Sequence, residues 1–406
     1  MLPGAPPVRL SVEYQDIPLE LFRKLPEETW SERFFRAAEY ANGYIDAAAA
    51  GVLRDLGVWP SGPTRFRQIA ERAKIIEERR GELRWLVKKC ILAGTLAVDG
   101  KGVLSPGATP PSPTKALREA LLAEIPSLST SCDLVDLAAG GYPPFLRGNR
   151  DGSAILFNAG TLAVWERYFS RENPVYSASN LLGAHVVAEQ LGPEPVHILE
   201  VGGGMGSAAE ALLERLSSGS EKRVASYLFT ELAPSFLRRA EERLKASFPT
   251  APVEVRRLDL NLSLERQGVV PESVDVVYAV NVLHATRDLL LSLRALKDAL
   301  SPGGLLVLVE AVRGGPGRLL HYEFCFQLLR EFREVRLHPD FRPHGGFLEW
   351  PHWKKALETA GFDAVHSVPD FPRAVEAYSI YAMAALVGRK PLASVDTSSA
   401  APEASP

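Results

Sequence analysis

A turn with four glycines follows a short apolar segment near the middle of the chain. Residues 196–201 have the apolar pattern of a buried strand, four of the five residues over 202–206 are glycine, and residues 206–217 have the pattern of a helix. Because glycine lacks a Cβ, the backbone of such a turn can approach a ligand closely, and the helix that follows offers free N–H groups. The pattern therefore predicts a nucleotide-like ligand at this turn.

The spacing of the glycines and of the neighbouring acids distinguishes between cofactors. A dinucleotide-binding turn reads G-x-G-x-x-G and has an acid about 20 positions further on. This sequence reads E-x-G-x-G-x-G, and its next strand ends at Glu231. Glu200, just before the turn, would repel a pyrophosphate but suits an ammonium group, and Glu231 suits ribose hydroxyls. Together these preferences predict S-adenosylmethionine, held by Glu200, Gly202, Gly204, Gly206, Glu231 and Leu232.

The composition is that of an ordinary globular protein and argues against several classes. The 406 residues are 46% hydrophobic and 23% charged, with a formal net charge of −3. This near-neutral balance disfavours a nucleic-acid surface that works by bulk electrostatics, and no apolar run reaches the length of a membrane span. The N-terminus lacks the features of a signal peptide. Three widely spaced cysteines (Cys90, Cys132 and Cys325) fit buried positions in a reducing compartment. We therefore expect a cytoplasmic protein without nucleic-acid or membrane partners.

The N-terminal part has the pattern of a helical module that ends in a hairpin. Helices are predicted over residues 37–56, 64–73 and 80–93, and a glycine-containing hairpin over 94–104. This is the order of a winged-helix domain. Such a module binds DNA in some proteins and dimerises or covers the active site in many methyltransferases. The mixture of acids and bases in this segment favours the second role.

Beyond the hairpin, a proline-rich stretch over 106–113 is a candidate linker, and residues 115–190 return to helix, including one predicted over 145–170. From residue 196 onward, strands alternate with helices. Strands are predicted over 196–201, 225–230, 253–258, 274–280, 304–311 and 378–388, with another near 362–368. Helices are predicted over 206–217, 234–247, 286–300, 317–333 and 351–360. This alternation is typical of a mostly parallel sheet with both faces covered.

Polar residues stand at the carboxyl ends of these predicted strands. In a parallel sheet those ends share one edge, where ligands bind. Asp259 is placed to contact the amino group of an adenine and Leu260 its ring, although an aspartate in a turn or at a helix N-cap has the same local sequence. Asn281 follows the strand over 274–280. We add Asp259, Leu260 and Asn281 to the predicted cofactor site.

A histidine and a glutamate follow two consecutive strands of this series. His284 comes just after the strand over 274–280, and Glu310 lies at the end of the next one. Neighbouring strands lie about 4.8 Å apart, so the two side chains could hydrogen-bond if these strands pair. A carboxylate partner fixes the imidazole tautomer and raises its basicity. We predict that His284 is the general base of a methyl transfer and that Glu310 orients it; the alternative is that Glu310 caps a turn.

The segment Asn-Val-Leu-His-Ala-Thr over 281–286, followed by Ser-Pro-Gly-Gly over 301–304 and Leu-Val-Glu over 308–310, resembles the carbon-methyltransferase domains of polyketide synthases. The resemblance covers residues 170–390 and is specific in the histidine segment but generic in the glycine turn. In that family the histidine of this motif and the glutamate that ends the next strand form a catalytic dyad, which implies the same roles for His284 and Glu310.

The resemblance also implies a substrate and partners. The family methylates an acyl chain of the malonyl or β-ketoacyl type, at the carbon next to the thioester, while the chain is held on the phosphopantetheine of an acyl carrier protein. It implies adjoining synthase domains as further partners. The fold that we predict is therefore a class I methyltransferase, with a Rossmann-like, seven-stranded, mostly parallel sheet. We expect a helical, winged-helix-like lid or dimerisation domain over 1–165, the methyltransferase domain over 166–393 and a disordered linker or tail over 394–406.

The region after Glu310 departs from the family pattern. It contains five potential metal ligands, which are His321, Gln327, His338, His344 and His352. A mononuclear metal would polarise a malonyl-type substrate and stabilise its enolate, and some synthase loading modules carry metal-dependent methyltransferases. No pair of these residues has a spacing that singles out a ligand set. A metal is therefore a hypothesis without assigned ligands, and ordinary surface and pocket histidines also explain the composition.

Tyr176 lies in a predicted helix just before the sheet, which this fold commonly places over the cofactor. We predict that Tyr176 contacts the transferred methyl group or the thioester, with packing in the core as the alternative. Three other functions stay open at this point. An oxygen-methyltransferase of natural products would use the same histidine, a catalytically silent scaffold domain would bind the cofactor without turnover, and a DNA-binding regulator would use the winged module. The intact pair of His284 and Glu310 favours carbon methylation over the silent domain.

Overall fold

A seven-stranded sheet forms the centre of the C-terminal part. The computed structural model describes residues 14–217 and 223–392, so the tail predicted over 394–406 lies outside the described residues. The strands are β4 (Val196–Glu200), β5 (Val224–Glu231), β6 (Val253–Arg257), β7 (Val274–Val280), β8 (Leu300–Ala311), β9 (Asp363–Val368) and β10 (Met383–Arg389), after three short strands β1–β3 of the N-terminal part.

The sheet has the strand order β6-β5-β4-β7-β8-β10-β9. The five strands from β6 to β8 run parallel, and β10 is antiparallel to both of its neighbours. This confirms the predicted class I methyltransferase fold with a mostly parallel, seven-stranded sheet. The strand order reverses between β4 and β7, and ligands of such sheets bind in the crevice at this reversal.

Helices cover both faces of the sheet. They are α9 (Ser207–Ser217), α10 (Pro234–Ser247), α11 (Leu289–Ala299), α12 (Glu323–Phe326), α13 (Arg330–Arg333), α14 (Trp350–Ala360) and α15 (Phe371–Ala377). The helix predicted over 317–333 is wrong, because α12 and α13 are two single turns in an otherwise irregular segment. The strand predicted over 378–388 begins only at β10. Two tyrosines before it, Tyr378 and Tyr381, pack their rings on Phe35 and Phe22 of the N-terminal part, with centroids 4.5 and 5.3 Å apart.

The N-terminal part contains the predicted helices and a small wing. Its elements are α1 (Glu32–Asp55), β1 (Thr64–Arg65), α2 (Phe66–Arg72), α3 (Arg80–Leu92), β2 (Leu96–Val98) and β3 (Val103–Pro106). The three strands pair antiparallel in the order β1-β3-β2, which confirms the winged-helix order. The helix α1 begins earlier than predicted because the side chain of Ser31 accepts a hydrogen bond from the N–H of Phe34 and caps it.

Five further helices connect the wing to the sheet. They are α4 (Thr114–Glu124), α5 (Ser129–Leu146), α6 (Gly152–Leu156), α7 (Leu162–Tyr168) and α8 (Pro174–Gln190). The single helix predicted over 145–170 is wrong. Gly148 has a left-handed backbone with φ of +73° after the end of α5, and Asp151 caps a new helix by accepting from the N–H of Ser153. The chain therefore turns twice where the sequence suggested one continuous helix.

Two hydrophobic cores meet at the boundary between these parts. One surrounds the sheet and includes Phe34 and Phe35 of α1. The other fills the helical part and includes Phe324 and Leu328, which belong to the segment after β8. Each part thus contributes side chains to the core of the other. All three cysteines are buried and free, as predicted, and no helix among the described residues is long and apolar enough to cross a membrane.

Candidate active site

A cavity of about 790 Å³ lies between the carboxyl ends of the central strands and the helical part. Most of the predicted cofactor residues line it, namely Gly202, Gly204, Glu231, Leu232, Asp259, Leu260 and Asn281. His284 and Tyr176 also line the cavity, whereas Glu200 and Gly206 do not. The cavity is at the reversal of strand order, where the sheet topology places a ligand site.

The glycine turn is shaped for close contact with a ligand. Gly202 and Gly204 have left-handed backbones, with φ of +62° and +58°. A Cβ on Gly203 would lie 2.2 Å from the ring of Phe229, and one on Gly202 would lie 2.6 Å from Val282. At Gly204, a Cβ would have no neighbour within 4 Å. The first two glycines are therefore required by packing, while Gly204 faces open space in the cavity wall.

Glu231 is held in place by two backbone N–H groups at the edge of the sheet. Its Oε2 accepts a hydrogen bond from the N–H of Gly204 at 2.9 Å, and its Oε1 accepts one from the N–H of Ala233 at 2.8 Å. Burial raises the pKa of this carboxyl, while these N–H groups lower it. The carboxylate is thus oriented before any ligand arrives, and each oxygen keeps a lone pair for hydroxyl donors.

Glu200 is the last residue of β4, just before the glycine turn, and is fully buried. Its Oε2 accepts a hydrogen bond from the hydroxyl of Tyr227 at 2.8 Å, and its Oε1 has no partner among the described residues. Burial raises the pKa of this carboxyl to about 8. An unpaired buried carboxylate oxygen is costly unless a donor reaches it. Glu200 does not line the cavity, and its predicted contact with the cofactor stays a prediction.

Asp259 and Asn281 are fixed by local hydrogen bonds at the ends of β6 and β7. Oδ1 of Asp259 accepts from the backbone and the side-chain N–H of Asn261, at 2.8 and 3.0 Å, as in an Asx turn. This leaves Oδ2 for a ligand. Asn281 has a left-handed backbone with φ of +56°, and its Oδ1 accepts from the N–H of Ala311 at 3.1 Å. Asn281 thus joins β7 to β8 beside the cavity.

His284 and Glu310 form the predicted contact. Their strands are neighbours in the sheet, and Nδ1 of His284 lies 2.7 Å from Oε2 of Glu310. The other carboxylate oxygen accepts from the N–H groups of Val282 and Leu283, at 3.1 and 2.8 Å. Both side chains are buried. With its proton on Nδ1, the imidazole donates to Glu310 and keeps Nε2, which has no hydrogen-bond partner among the described residues, as a free acceptor.

Two further residues, Phe347 and Arg342, contact His284 from the other side. The ring of Phe347 packs on the imidazole, with centroids 4.4 Å apart. Arg342 is fully buried and donates to the carbonyl oxygens of His284 and Thr286, at 2.6 and 2.7 Å. Burial lowers the pKa of this guanidinium to about 10. No local pattern marks Arg342, because a single arginine in a polar segment normally lies on the surface.

Tyr176 belongs to an aromatic cluster that closes the cavity. Its ring contacts Phe169 and Tyr168, with centroids 4.9 and 5.6 Å apart. Burial first, and then the carboxyls of Glu200 and Glu231, raise the pKa of its hydroxyl. This hydroxyl therefore stays protonated and available as a donor at the cofactor end of the cavity. Its predicted contact with the methyl group or thioester stays a prediction.

The five potential metal ligands do not converge on the cavity. Oε2 of Glu349 accepts from His344 and His352, at 3.1 and 2.8 Å, and the three residues could together hold an ion. None of them lines the cavity, and a guanidinium nitrogen of Arg313 lies 3.3 Å from Nδ1 of His344. His338 stacks on Phe341 outside the cavity. The hypothesis of a metal that polarises the substrate therefore does not fit this arrangement.

The sheet topology, the glycine turn with its acids, and the buried histidine–glutamate pair at one cavity define a class I methyltransferase. Residues 199–306 match the family model described as a methyltransferase domain. The polyketide synthase ThaG of Burkholderia thailandensis is 34% identical over 236 residues, which are 56% of this chain and 4% of that protein. The highly reducing polyketide synthase NEC1 of Pyricularia oryzae is 35% identical over 204 residues, which are 49% of this chain and 7% of that protein.

Solved structures show the same fold over almost the whole chain. The DszA carbon methyltransferase has a TM-score of 0.72 at 23% identity, with 95% of this chain and 99% of that chain covered. The CMeT domain of the citrinin polyketide synthase has a TM-score of 0.73 at 19% identity, with 93% and 98% covered. The chain spans less than a tenth of the length of the two curated relatives named above.

These similarities identify the chain as an S-adenosylmethionine-dependent methyltransferase. Its sequence is similar to segments of polyketide synthases, and its fold is that of solved carbon-methyltransferase domains.

Proposed function

We propose that this protein methylates the carbon next to the thioester of an acyl chain, of the malonyl or β-ketoacyl type, carried by the phosphopantetheine of an acyl carrier protein. The observation that carries the proposal is the buried pair of His284 and Glu310 in the wall of the cavity, with Nε2 of His284 free. Removing a proton from carbon requires an oriented base close to the substrate, and this pair supplies one.

The residues of the cavity fit S-adenosylmethionine on the side of β4, β5 and β6. The carboxylate of Glu231 is oriented for the ribose hydroxyls. Glu200 does not itself line the cavity, but its unpaired oxygen would suit the ammonium group. Asp259 and Leu260 lie in the wall where the adenine would bind. When bound, the cofactor supplies a methyl group on a positively charged sulfur. The open space at Gly204 gives it room beside the turn.

In this reaction the protein's own residues remove one proton from the substrate and hold it. Nε2 of His284 takes the proton from the acidic carbon, and the electron pair of the broken C–H bond becomes available on that carbon for the new bond. Glu310 stabilises the imidazolium that forms, because Oε2 of its side chain accepts the hydrogen bond from Nδ1–H. Phe347 and Phe332 pack around the imidazole ring. They keep bulk water from the base, so that the proton is taken from the substrate.

The sequence similarity to segments of polyketide synthases supports the carrier-bound substrate. Those relatives are far longer than this chain, which supports adjoining synthase domains as partners. An oxygen-methyltransferase would use the same base for a hydroxyl. The similarity to carbon methyltransferases in fold, together with the polyketide synthase relatives, favours carbon.

Mass spectrometry of carrier-bound substrates tests the proposal. Malonyl- and acetoacetyl-carrier protein are incubated with the protein and S-adenosylmethionine, and each intact carrier is weighed. We expect a gain of one or more methyl masses that is lost in His284→Ala, and carbon-13 NMR of the released product should show a methyl group on carbon. Cofactor binding without a mass gain on either thioester would overturn the proposal in favour of a silent domain. A methoxy signal would identify an oxygen-methyltransferase.

A further inference from the structure

A second cleft, of about 610 Å³, lies between the helical part and the segment that follows β8. Residues of α1 and α3 form one wall, and residues 314–321 and 379–382 form the other. Ala382 lines both this cleft and the cofactor cavity. His321 lines the cleft, and the next residue, Tyr322, lines the cavity; a small void between them, about 30 Å³, touches both residues. The cleft and the cofactor cavity, which His284 lines, therefore adjoin at Ala382.

The outer part of the cleft is positively charged. Its wall contains three cations, Lys88, Lys89 and Arg318, and one carboxylate, Asp46, among the residues that the structure describes. Nζ of Lys89 is already paired with Asp46, at 3.0 Å. Lys88 is exposed, and a Cβ on Gly317 would lie 3.6 Å from its Nζ. One guanidinium nitrogen of Arg318 donates a hydrogen bond to the carbonyl oxygen of Ser379, which leaves its other N–H groups for a ligand. Lys88 and Arg318 are thus available to an anion.

The inner part of the cleft has polar atoms without partners. Within the described ranges, neither Nε2 of His321 nor the hydroxyl of Tyr381 has a hydrogen-bond partner, and both atoms are buried. The Tyr381 side chain is only 2% exposed. Burial lowers the pKa of His321 to about 3, so its ring is neutral and offers one donor and one acceptor. Buried polar atoms are normally paired, and here a ligand with amide groups would pair them.

The cofactor site and the second cleft approach His284 from opposite sides of β7. Most residues predicted to hold the cofactor follow β4, β5 and β6, on one side of β7, and Asn281 follows β7 itself. The cleft meets the cavity at Ala382, just before β10, on the other side of β7. His284 follows β7 itself and lies between them. A substrate that entered by the cleft would reach the base without crossing the cofactor.

We propose that this cleft binds the phosphopantetheine arm of the substrate, with its phosphate at Lys88 and Arg318, its amide groups at His321 and Tyr381, and its thioester beyond Tyr322 and Ala382. This inference rests on the proposed function, since it assigns the route by which the thioester reaches His284. The arm of an acyl carrier protein and that of an acyl coenzyme A share this chemistry, because both carry a phosphate followed by two amides and a thioester.

Charge reversal tests the outer part of this assignment. Lys88→Glu, Arg318→Glu and the double variant are compared with wild type, at saturating S-adenosylmethionine, on three acetoacetyl thioesters. These are the carrier-protein thioester, the coenzyme A thioester and the N-acetylcysteamine thioester, which has no phosphate. We expect kcat/KM to fall about tenfold for each single variant on the first two substrates, as for loss of a charged contact, and to be unchanged on the third. Lys101→Glu, on the exposed turn of the wing, is the matched control.

The outcomes separate the route from the proposed function. An equal loss on the N-acetylcysteamine thioester, or no loss on the carrier substrate, would overturn the route while methylation by the wild type still supported the proposed function. A loss on the carrier substrate alone would also overturn it, because the two cations would then contact the carrier protein itself and not the arm. If the wild type methylated none of the three thioesters, in either the acetoacetyl or the malonyl form, the proposed function would fail.

Tyr381→Phe tests the inner part, because it removes only the unpaired hydroxyl. We expect KM for the carrier-bound and coenzyme A substrates to rise several-fold at an unchanged kcat, while the melting temperature is unchanged or higher, since a buried unpaired group has been removed. A lower melting temperature with an unchanged KM would show a structural role and contradict the assignment of this residue.

Discussion

Nδ1 of His284 and Oε2 of Glu310 lie 2.7 Å apart at the adjoining ends of two parallel strands. The second oxygen of Glu310 accepts from two backbone N–H groups, of Val282 and Leu283. The carboxylate therefore orients the imidazole and also closes the turn in which the imidazole lies. Glu310 thus makes the contacts of both alternatives that the sequence left open, while its role in catalysis stays a prediction.

Replacing Glu310 by glutamine should remove the base function while preserving the turn. The amide oxygen can still accept from the backbone, but its NH₂ group now donates to Nδ1 of His284. This moves the imidazole proton to Nε2, where a base needs a lone pair. We expect kcat to fall by about 10²- to 10⁴-fold at an unchanged dissociation constant for S-adenosylmethionine, as measured by steady-state kinetics and calorimetry. Activity within a few-fold of wild type would show that the orientation of His284 is not required.

Arg342 should be required for the stability of the His284 turn. Arg342→Met removes the donors of the carbonyl oxygens of His284 and Thr286 in a buried site. Because two buried acceptors lose their partners, we expect the free energy of unfolding to fall by about 2–4 kcal/mol, together with kcat. Urea denaturation measures the first effect, and Arg342→Lys should recover part of it through one remaining donor. Full stability in Arg342→Met would contradict this role.

Glu231 should contribute mainly to cofactor affinity. In Glu231→Gln the amide keeps one acceptor for the N–H of Gly204 but loses the charge that strengthens hydrogen bonds from ribose hydroxyls. We expect the dissociation constant for S-adenosylmethionine to rise about 10- to 100-fold, with kcat near wild type at saturating cofactor. Glu254→Gln, on the neighbouring strand and exposed, is the matched control. Equal affinities in both variants would show that Glu231 does not bind the cofactor.

The buried carboxyl of Glu200 should make stability depend on pH when no cofactor is present. Burial raises its pKa from the usual 4.5 to about 8, so between these values the unfolded chain has lost a proton that the folded protein keeps. Stability should therefore fall as the pH rises through this window, by at most about 1.4 kcal/mol per pH unit from this group. In Glu200→Gln the melting temperature should depend less on pH between 5 and 8. Some dependence of the melting temperature on pH should remain in this variant, because the pKa of Glu231 is raised too.

Adding S-adenosylmethionine provides the check on this interpretation. An ammonium group beside Glu200 would favour the ionised carboxylate, so the stabilisation by the cofactor should grow as the pH rises from 5 to 8 in wild type but not in Glu200→Gln. The same dependence in both proteins would show that Glu200 is not the titrating group.

Removal of metal ions should leave methylation unchanged. Glu349, His344 and His352 lie outside the cavity wall. Burial opposes the ionisation of Glu349, but hydrogen bonds from the two histidines outweigh it and lower its pKa to about 2. The carboxylate is thus satisfied by imidazole donors. Activity on malonyl-carrier protein, measured before and after treatment with a chelator, should be equal. A loss that added manganese or zinc restored would contradict this expectation.

The sequence by itself determined the sheet, the glycine turn and the contact between His284 and Glu310. These depend on patterns that are local along the chain, namely apolar strands, the glycines over 202–206, and polar residues just after strand ends. Because the carboxyl ends of parallel strands share one edge, the position of a residue along its own strand was enough to bring His284 near Glu310.

Only the tertiary structure decided which distant residues support that pair. Arg342 lies 58 positions from His284 along the chain and reaches it through an irregular segment without a periodic pattern. Similarly, the helix predicted over 317–333 is replaced by two single turns, since Phe324 and Leu328 pack into the core of the helical part. The charged cleft likewise needs α3 and the segment after β8 to meet. Such contacts depend on burial between remote segments, which local periodicity does not encode.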